Sequence, residues 1–322
     1  MVRSFLINIW ELLIAGIITA NQLRIARSPF KGLVERLSNH ISMLGTSARK
    51  VEDYDAIGFD MDLCIARYKF KSFLKIMYES CAAKLVRDHG YPSDMFPEDE
   101  DIDRLMSFVG RVVVDLSNML VMKIGEKGEI LRVFDGEERL SNDEIKKIYG
   151  DDPKLTGIDL ENLNFGQNYY FASDLFKCDY IYIFLRIKEL IKKKGKYPFL
   201  EKLTSKDVLD DLKDASSFNY HHYRDRYMPP EEVGFYFPMF KVNPKRFLHK
   251  MNTEVFEKLR QLKDSGKVVF LITNSHVGYY DIIFPFVTQD TPDAEKILDY
   301  IGMNAGKPKF FKRDDIPFYR VD

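Results

Sequence analysis

The sequence is poor in cysteine, in net charge and in long apolar segments. It has 3 cysteines among 322 residues, Cys64, Cys81 and Cys178, which lie far apart and form no Cys-x-x-Cys pair. An odd number of separated thiols excludes a disulfide-stapled scaffold and offers no zinc-ligand spacing. We interpret them as ordinary thiols in a reducing compartment.

The charges are balanced, with 48 Lys+Arg against 49 Asp+Glu and a formal net charge of -1. Such a chain has no excess of positive charge to attract polyanions, so we expect no nucleic-acid polymer as a partner. Its 45% hydrophobic and 30% charged residues are typical of a folded globular protein. The length is sufficient for one large domain or two ordinary ones.

One apolar segment, residues 5–20, follows Arg3 and contains Glu11. It is shorter than the roughly 18 to 20 residues that span a bilayer, and its carboxylate opposes insertion. A signal-like anchor, a mitochondrial presequence and a buried or amphipathic helix all stay open, so membrane contact of this segment is undecided. We expect a cytoplasmic protein, with a mitochondrial location or membrane anchoring through residues 5–20 as the alternative.

Three short apolar segments predict strands, and polar residues follow each of them. The segments are Ala56–Phe59 before residues 60–62, Val268–Ile272 before residues 273–276, and Tyr300–Asn304 before residues 305–308. A predicted helix precedes the second strand, with Thr253 as its N-cap and Gly266 beyond its end, and residues 279–286 predict another helix. This alternation indicates a parallel sheet, whose strand ends would bring the polar clusters to one site.

The long segment between the first two strands has a different character and is rich in Tyr, Phe and charge. Met119–Ile124 and Glu129–Phe134 predict a hairpin, Ser141 with Glu144 predicts a capping box, and Leu175–Ile191 predicts a helix. A structureless loop of this length would be anomalous, so we expect an inserted domain. Its aromatic side chains would either stack on a nucleobase or pack the domain core.

Asp60 and Asp62 at a strand end suit paired duties in phosphoryl transfer. Asp60 would attack phosphorus, while Asp62 would protonate the departing alcohol and later activate water. Because two anions repel, the attack implies Mg²⁺ held by carboxylate and carbonyl oxygens. The Thr273 hydroxyl would bind phosphoryl oxygens, and Lys307 would neutralise their charge. Each signal alone also has a structural interpretation, such as a helix cap or a solvated lysine.

Other polar residues have two readings each. His276 would contact the substrate or cap the following helix. Arg67 would meet the phosphate or base, or lie exposed after the first strand. We interpret His221 and His222 as polar surface, because neighbouring positions rarely face one ligand.

The sequence strings that carry this chemistry resemble motifs one, two and three of the haloacid dehalogenase superfamily. The strings are Ile57–Asp62 with Arg67–Tyr68, then Leu271–Ser275, then Gly306–Phe311. More narrowly, the chain resembles the 5'-nucleotidase domain-containing proteins related to cytosolic purine 5'-nucleotidase, and is most like the domain-containing protein 1 branch. Residues 128–132, 169–171 and 234–238 fall in the order of that branch, and the likeness runs from Asp55 to the carboxyl end.

The resemblance implies an α/β fold with a Rossmann-like haloacid dehalogenase core, in which helices flank a parallel sheet. A large mixed α+β cap would be inserted between motifs one and two. The implied division is an N-terminal extension at 1–50, core at 51–75 and 246–322, and cap at 76–245.

The resemblance also implies Mg²⁺-dependent hydrolysis of a nucleoside 5'-monophosphate or related phosphomonoester through an aspartyl-phosphate. Asp60 would be nucleophile and metal ligand, and Asp62 would be acid/base with its backbone carbonyl on the metal. Thr273, with Asn274 beside it, would bind phosphate, and Lys307 would be the third-motif lysine.

Two departures from the superfamily pattern qualify these expectations. Cys64 replaces the usual Thr or Val of the first motif, which preserves packing but removes a hydroxyl. No Gly-Asp pair of the fourth motif, with its later Asp, follows motif three, and Asp314-Asp315 lies too close to Lys307 to replace it.

We therefore expect either a shortened nucleotidase-like chain, with a core incomplete at its carboxyl end, or one that has lost part of its metal site. A homo-oligomer or another partner would then cover the sheet edge. A catalytically incomplete binding or regulatory protein is the functional alternative, and transfer of the phosphoryl group to an acceptor nucleoside is a further one.

Overall fold

The structure is a computed structural model that describes residues 54–106, 108, 110–159, 165–172, 175–219, 234–291 and 293–307. The apolar segment 5–20, His221, His222 and Asp314-Asp315 lie outside the described residues, so the predictions made for them stay predictions. Among the described residues, no helix combines the length and the apolarity needed to cross a membrane.

The strands of the described residues are β1 (Ala56–Phe59), β2 (Arg67–Tyr68), β3 (Val112–Asp115), β4 (Leu120–Ile124), β5 (Ile130–Asp135), β6 (Glu138–Arg139), β7 (Tyr169–Ala172), β8 (Leu248–His249), β9 (Val268–Ile272) and β10 (Tyr300–Gly302). The α-helices are α1 (Phe70–Asp88), α2 (Asp99–Met106), α3 (Asn142–Tyr149), α4 (Cys178–Lys192), α5 (Ser205–Phe218), α6 (Tyr236–Val242), α7 (Pro244–Phe247), α8 (Thr253–Asp264), α9 (Val277–Thr288) and α10 (Ala294–Ile297).

The chain divides into two compact units. The first consists of Met1–Tyr68 and Leu248–Asp322, and the second is the inserted segment Lys69–Phe247. Together they give a mixed α/β protein with a parallel sheet and flanking helices, as the sequence predicts at this level.

The first unit contains the parallel sheet, whose described strands run in the order β1-β9-β10. Both pairs are parallel, with Ile57 opposite Val269 and Ile301 opposite Leu271. The predictions for β1 and β9 are confirmed with the same bounds. The third strand is confirmed but ends at Gly302, because Asn304 adopts a left-handed backbone with φ 51 that ends the extended conformation.

The helices of the first unit flank this sheet. Helix α8 packs against β9 and is followed by Gly266 with φ 84, as predicted. The predicted N-cap Thr253 was wrong by one position, because the Asn252 side chain accepts a hydrogen bond from the backbone N–H of Glu254 at 3.0 Å. Helix α9 contains the predicted residues 279–286 and extends beyond them at both ends.

The second unit contains an antiparallel sheet, with described strands in the order β6-β5-β4-β3-β7. The predicted hairpin is confirmed as β4 and β5. The predicted capping box is also confirmed: the Ser141 hydroxyl accepts from the Glu144 N–H at 3.3 Å, and the Glu144 carboxylate accepts from the Ser141 N–H at 2.8 Å. Helix α4 begins three residues later than predicted, because Leu175–Lys177 forms a 3-10 turn ahead of it.

A group of aromatic residues packs in the interior of the second unit. Helix α1 packs against α4 and α5. The rings of Phe73, Tyr236, Phe240 and Phe247 are fully buried and contact one another edge-on or stacked. For these four residues, core packing is therefore the interpretation that the structure favours over base stacking.

The parallel register leaves no room for a side chain at Gly58 of β1. Gly58 is paired with Phe270 on β9, and a Cβ at position 58 would overlap the Phe270 ring. We therefore expect Gly58→Ala to lower the free energy of unfolding by about 1–3 kcal/mol, the usual cost of overpacking. Chemical denaturation followed by circular dichroism measures this loss.

The matched control is Gly302→Ala in the same sheet. A Cβ at Gly302 would lie 3.5 Å from Cγ1 of Ile272, an ordinary contact. We expect its free energy of unfolding to change by less than about 0.5 kcal/mol, or to rise, since alanine also restricts the unfolded chain. Equal losses in the two variants would contradict the assignment of the clash to Phe270.

Candidate active site

The carboxyl ends of β1, β9 and β10 meet at one edge of the parallel sheet. Asp60 directly follows β1, Thr273 directly follows β9, and Lys307 lies a few residues beyond β10. The backbone N–H of Thr273 donates to the Gly302 carbonyl at 2.8 Å, which holds the ends of β9 and β10 together. The predicted catalytic residues are thus brought to one place by strand pairing, as expected for a parallel sheet.

A tight turn after β1 places both aspartates at this edge. The backbone N–H groups of Ile65 and Ala66 donate to the Met61 carbonyl at 3.1 and 2.8 Å, and the Met61 side chain is fully buried. Leu63, between them, has a left-handed φ of 63, which is uncommon for a residue with a branched side chain. Both carboxylates reach this edge of the sheet, because Asp60 contacts Lys307 and Asp62 accepts from the Ser275 hydroxyl.

Asp60 forms an ion pair with Lys307. The Lys307 Nζ contacts Asp60 Oδ2 and donates to the Ile272 carbonyl at 2.8 Å, while Asp60 Oδ1 accepts from the Met61 N–H at 2.8 Å. The Asp60 side chain is 36% exposed and that of Lys307 is 18% exposed. Asp60 is therefore a carboxylate that solvent or a ligand can reach, with a cation fixed beside it.

Asp62 is enclosed by hydroxyl groups. The Tyr68 hydroxyl donates to its Oδ1 at 2.6 Å, and the Ser275 hydroxyl donates to its Oδ2 at 2.5 Å. The Thr273 hydroxyl lies 3.5 Å from Oδ2, at the outer limit of a hydrogen bond, and accepts from the Ser275 N–H at 3.1 Å. Thr273 itself is fully buried.

Burial raises the pKa of the Asp62 carboxyl above its ordinary value. Hydrogen bonds from Ser275 and Tyr68 favour the charged form and oppose this rise in pKa, whereas the charge of Asp60 adds to it and Lys307 reduces it. The two aspartates therefore have different environments: one is partly exposed beside a lysine, and the other is enclosed. Such a pair can divide the roles of nucleophile and proton donor.

The residues predicted to bind substrate have other contacts in the structure. Asn274 holds the backbone of Lys307, because its Oδ1 accepts from the Lys307 N–H at 2.6 Å and its Nδ2 donates to the Lys307 carbonyl at 3.2 Å. The His276 side chain caps α9 by accepting from the Gly278 N–H at 3.3 Å, which is the capping alternative. Arg67 is exposed on β2, where alternation turns Tyr68 inward.

Cys64 lies in the turn after Asp62. Burial, together with the charge of the nearby Asp60 carboxylate, raises the pKa of its thiol to about 11. The side chain is therefore a neutral thiol at physiological pH and adds neither charge nor a second nucleophile to the site.

The donors at this edge fit a magnesium ion only in part. Mg²⁺ prefers oxygen ligands and is usually held by one or two carboxylates, with water and substrate phosphate completing its shell. The Asp60 carboxylate is open to such a role, whereas hydroxyl groups surround the carboxyl group of Asp62. Within the described ranges, no group of three or more His, Cys, Asp or Glu residues is arranged to hold a metal.

Sequence reasoning missed the residues that surround Asp62. Ser275 and Tyr68 lie within the motif sequences, but no role was predicted for them. Tyr279 was not singled out at all, and its hydroxyl lies 2.8 Å from that of Tyr68. A buried carboxylate needs hydrogen-bond donors. Hydroxyl residues near the predicted aspartates are therefore the sequence signal that could have identified these partners.

Comparison with known proteins assigns the chain to a family. The model of the 5' nucleotidase family matches residues 47–322, and the chain belongs to this family. The resemblance to the 5'-nucleotidase domain-containing proteins is thereby confirmed, and family membership suggests a phosphatase or nucleotidase function.

The similar curated proteins include members of the 5'-nucleotidase domain-containing group. Protein 1 of this group from Bos taurus is 28% identical over 263 residues, which are 80% of this chain and 54% of the relative. The Homo sapiens protein 1 is 28% identical over 266 residues, with the same coverages of 80% and 54%. Protein 2 from Rattus norvegicus is 22% identical over 290 residues, 89% of this chain and 48% of the relative. The chain thus spans about half the length of these relatives.

Removal of the Asn274 side chain should release the backbone of Lys307. Each lost hydrogen bond contributes about 0.5–1.5 kcal/mol, so we expect the Lys307 amide of Asn274→Ala to exchange its hydrogen about tenfold faster. Residue-resolved hydrogen exchange measures this change. The amide of Ala305, which donates to the Thr273 carbonyl at 3.0 Å, is the internal control and should keep its rate. Equal acceleration of both amides would indicate general loosening of the segment instead.

Proposed function

We propose that the protein is a Mg²⁺-dependent phosphomonoester hydrolase of 5'-nucleotidase type that acts through a phosphorylated Asp60. The observation that carries this proposal is the division of environments between two neighbouring carboxylates. Asp60 is reachable and paired with Lys307, whereas Asp62 is enclosed and has a raised pKa. Nucleoside 5'-monophosphates and related phosphates are the substrates that we assign to it from family membership.

Asp60 and Lys307 would bind and align the phosphoryl group. Because the Lys307 Nζ already contacts Asp60 Oδ2, a phosphorus atom in line with that carboxylate places its oxygens within reach of the ammonium group. The Thr273 hydroxyl has a long contact of 3.5 Å to Asp62, so turning its proton toward a phosphoryl oxygen would sacrifice little.

The chemistry would proceed in two displacements at phosphorus. In the first, an oxygen of Asp60 forms a bond to phosphorus, the ester P–O bond breaks, and the Asp62 carboxyl gives its proton to the departing alcohol oxygen. In the second, the Asp62 carboxylate takes a proton from water, the water oxygen bonds to phosphorus, and the bond to Asp60 breaks. Inorganic phosphate leaves, and both aspartates return to their starting states.

A magnesium ion, when bound, would offset the repulsion between the Asp60 carboxylate and the phosphate oxygens. Asp60 and the backbone carbonyl of Asp62 would hold it. We further interpret the first unit as a Rossmann-like haloacid dehalogenase core and the second as its cap. The insertion of Lys69–Phe247 between the strand-end aspartates and β9 supports this interpretation.

Replacement of the nucleophile is the direct test. We expect Asp60→Asn to reduce phosphate release from a panel of nucleoside 5'-monophosphates by about a thousandfold or more, because an amide oxygen is a poor nucleophile toward phosphorus. The full-length protein with Mg²⁺ and a phosphate-release assay are suitable. Asp55→Asn is the matched control: Asp55 is exposed just before β1, and its change should leave turnover unaltered. Turnover that survives in Asp60→Asn would refute the mechanism.

Removal of the metal provides a second test. We expect a chelator to abolish turnover and Mg²⁺ to restore it, because the charge of Lys307 alone does not balance the Asp60 carboxylate and a phosphate dianion. The same protein should capture beryllium fluoride in a Mg²⁺-dependent way, and Asp60→Asn should not. Absence of both capture and turnover in the unaltered protein would favour the catalytically incomplete binding or regulatory alternative.

A further inference from the structure

A pair of tyrosine hydroxyls lies behind the enclosed aspartate. The Tyr68 hydroxyl donates to Asp62 Oδ1 at 2.6 Å and lies 2.8 Å from the Tyr279 hydroxyl. Tyr68 is 5% exposed and Tyr279 is 6% exposed, so both rings are fixed by their surroundings. Tyr68 is the last residue of β2, and Tyr279 lies in the first turn of α9, so two separate elements meet at this carboxylate.

Counting protons gives these hydrogen bonds a direction. Each tyrosine hydroxyl carries one proton that it can donate, and its oxygen can also accept a hydrogen bond. Since the proton of Tyr68 points to Asp62, the contact between the tyrosines requires Tyr279 to donate to the Tyr68 oxygen. The order is therefore Tyr279 to Tyr68 to Asp62, so Tyr279 is linked to the aspartate through Tyr68.

This chain of hydroxyls fixes the orientation of the Asp62 carboxylate. The terminal torsion of an aspartate is broad, so the plane of its carboxylate is set by its partners. Tyr68 binds one oxygen and Ser275 binds the other, at 2.6 and 2.5 Å. Without the Tyr68 hydroxyl, Oδ1 loses this hydrogen bond in an enclosed setting, and the carboxyl group can turn about the remaining contact to Ser275.

We propose that Tyr68 is a positioning residue for Asp62, and that Tyr279 holds the Tyr68 hydroxyl in place. The inference rests on the proposed function, because it supposes that Asp62 protonates the departing alcohol. Two buried tyrosines thereby acquire a role in phosphoester cleavage. Neither their burial nor the motif sequences would predict this role.

The leaving group of the substrate separates positioning from a structural role. A nucleoside 5'-monophosphate releases an alkoxide that needs a proton, whereas p-nitrophenyl phosphate releases a weakly basic phenolate that does not. We expect Tyr68→Phe to lower kcat/KM about 10- to 100-fold for the nucleotide, and less than about threefold for p-nitrophenyl phosphate. A variant that is merely damaged should lose kcat/KM equally with both substrates.

A double-mutant cycle tests the order of the two tyrosines. Tyr279→Phe should lower kcat/KM for the nucleotide by about threefold, and adding it to Tyr68→Phe should cause no further loss, because it acts through Tyr68. Tyr280→Phe is the matched control in the same helix: Tyr280 is equally buried at 6% exposure, but its hydroxyl donates to Glu295 at 3.2 Å. This control should leave the ratio of the two substrates unchanged.

The outcomes distinguish this inference from the proposed function. Equal losses with the two substrates in Tyr68→Phe, or strictly multiplicative effects of the two tyrosines, would overturn the positioning role while Asp60-dependent turnover stands. No Asp60-dependent turnover in the unaltered protein would overturn both. If thermal unfolding shows that Tyr68→Phe does not fold, Tyr279→Phe decides by the same ratio of substrates.

Discussion

The side chain of Lys307 joins the ends of the strands on which the site is built. Its ammonium group contacts the carboxylate that follows β1 and the last carbonyl of β9, while Asn274 holds its backbone from the segment after β9. A cation at this point compensates the negative charge that gathers where parallel strands end. The same group would have to accept a phosphate there, so the stability of the strand ends and the chemistry of the site depend on one residue.

The two aspartates show how separate environments arise from adjacent positions. The turn that begins at Met61 leaves Asp60 at the surface and directs Asp62 toward three hydroxyl groups, one on β2 and two in the segment that follows β9. A hydroxyl can donate to a carboxylate without the charge that a lysine would bring, so it orients Asp62 while burial still favours the protonated form. A charged group thus accompanies the exposed Asp60, and neutral donors accompany the enclosed Asp62. Each environment suits a different chemical role.

The elements that could be predicted are those whose signals are local. Apolar runs bounded by polar residues gave β1 and β9, and the Ser141–Glu144 pair gave the start of α3. The cap of α8 was misplaced by one residue because Asn252 and Thr253 are both good N-cap residues, and the sequence does not say which one leaves the helix. Contacts between residues that lie far apart in the sequence have no such local signal. Tyr68 and Tyr279 are separated by 211 positions, and no sequence periodicity predicts the contact between their hydroxyls.

The insertion of the second unit begins and ends at neighbouring backbone positions. Tyr68 and Leu248 are partners in the antiparallel pair of β2 and β8, so the chain leaves the first unit and returns to it across a single ladder rung. Because these two points are adjacent, the inserted segment does not have to bridge a distance between them, whatever its length. The length of the inserted segment can therefore change without altering the path of the backbone that carries the aspartates and the lysine.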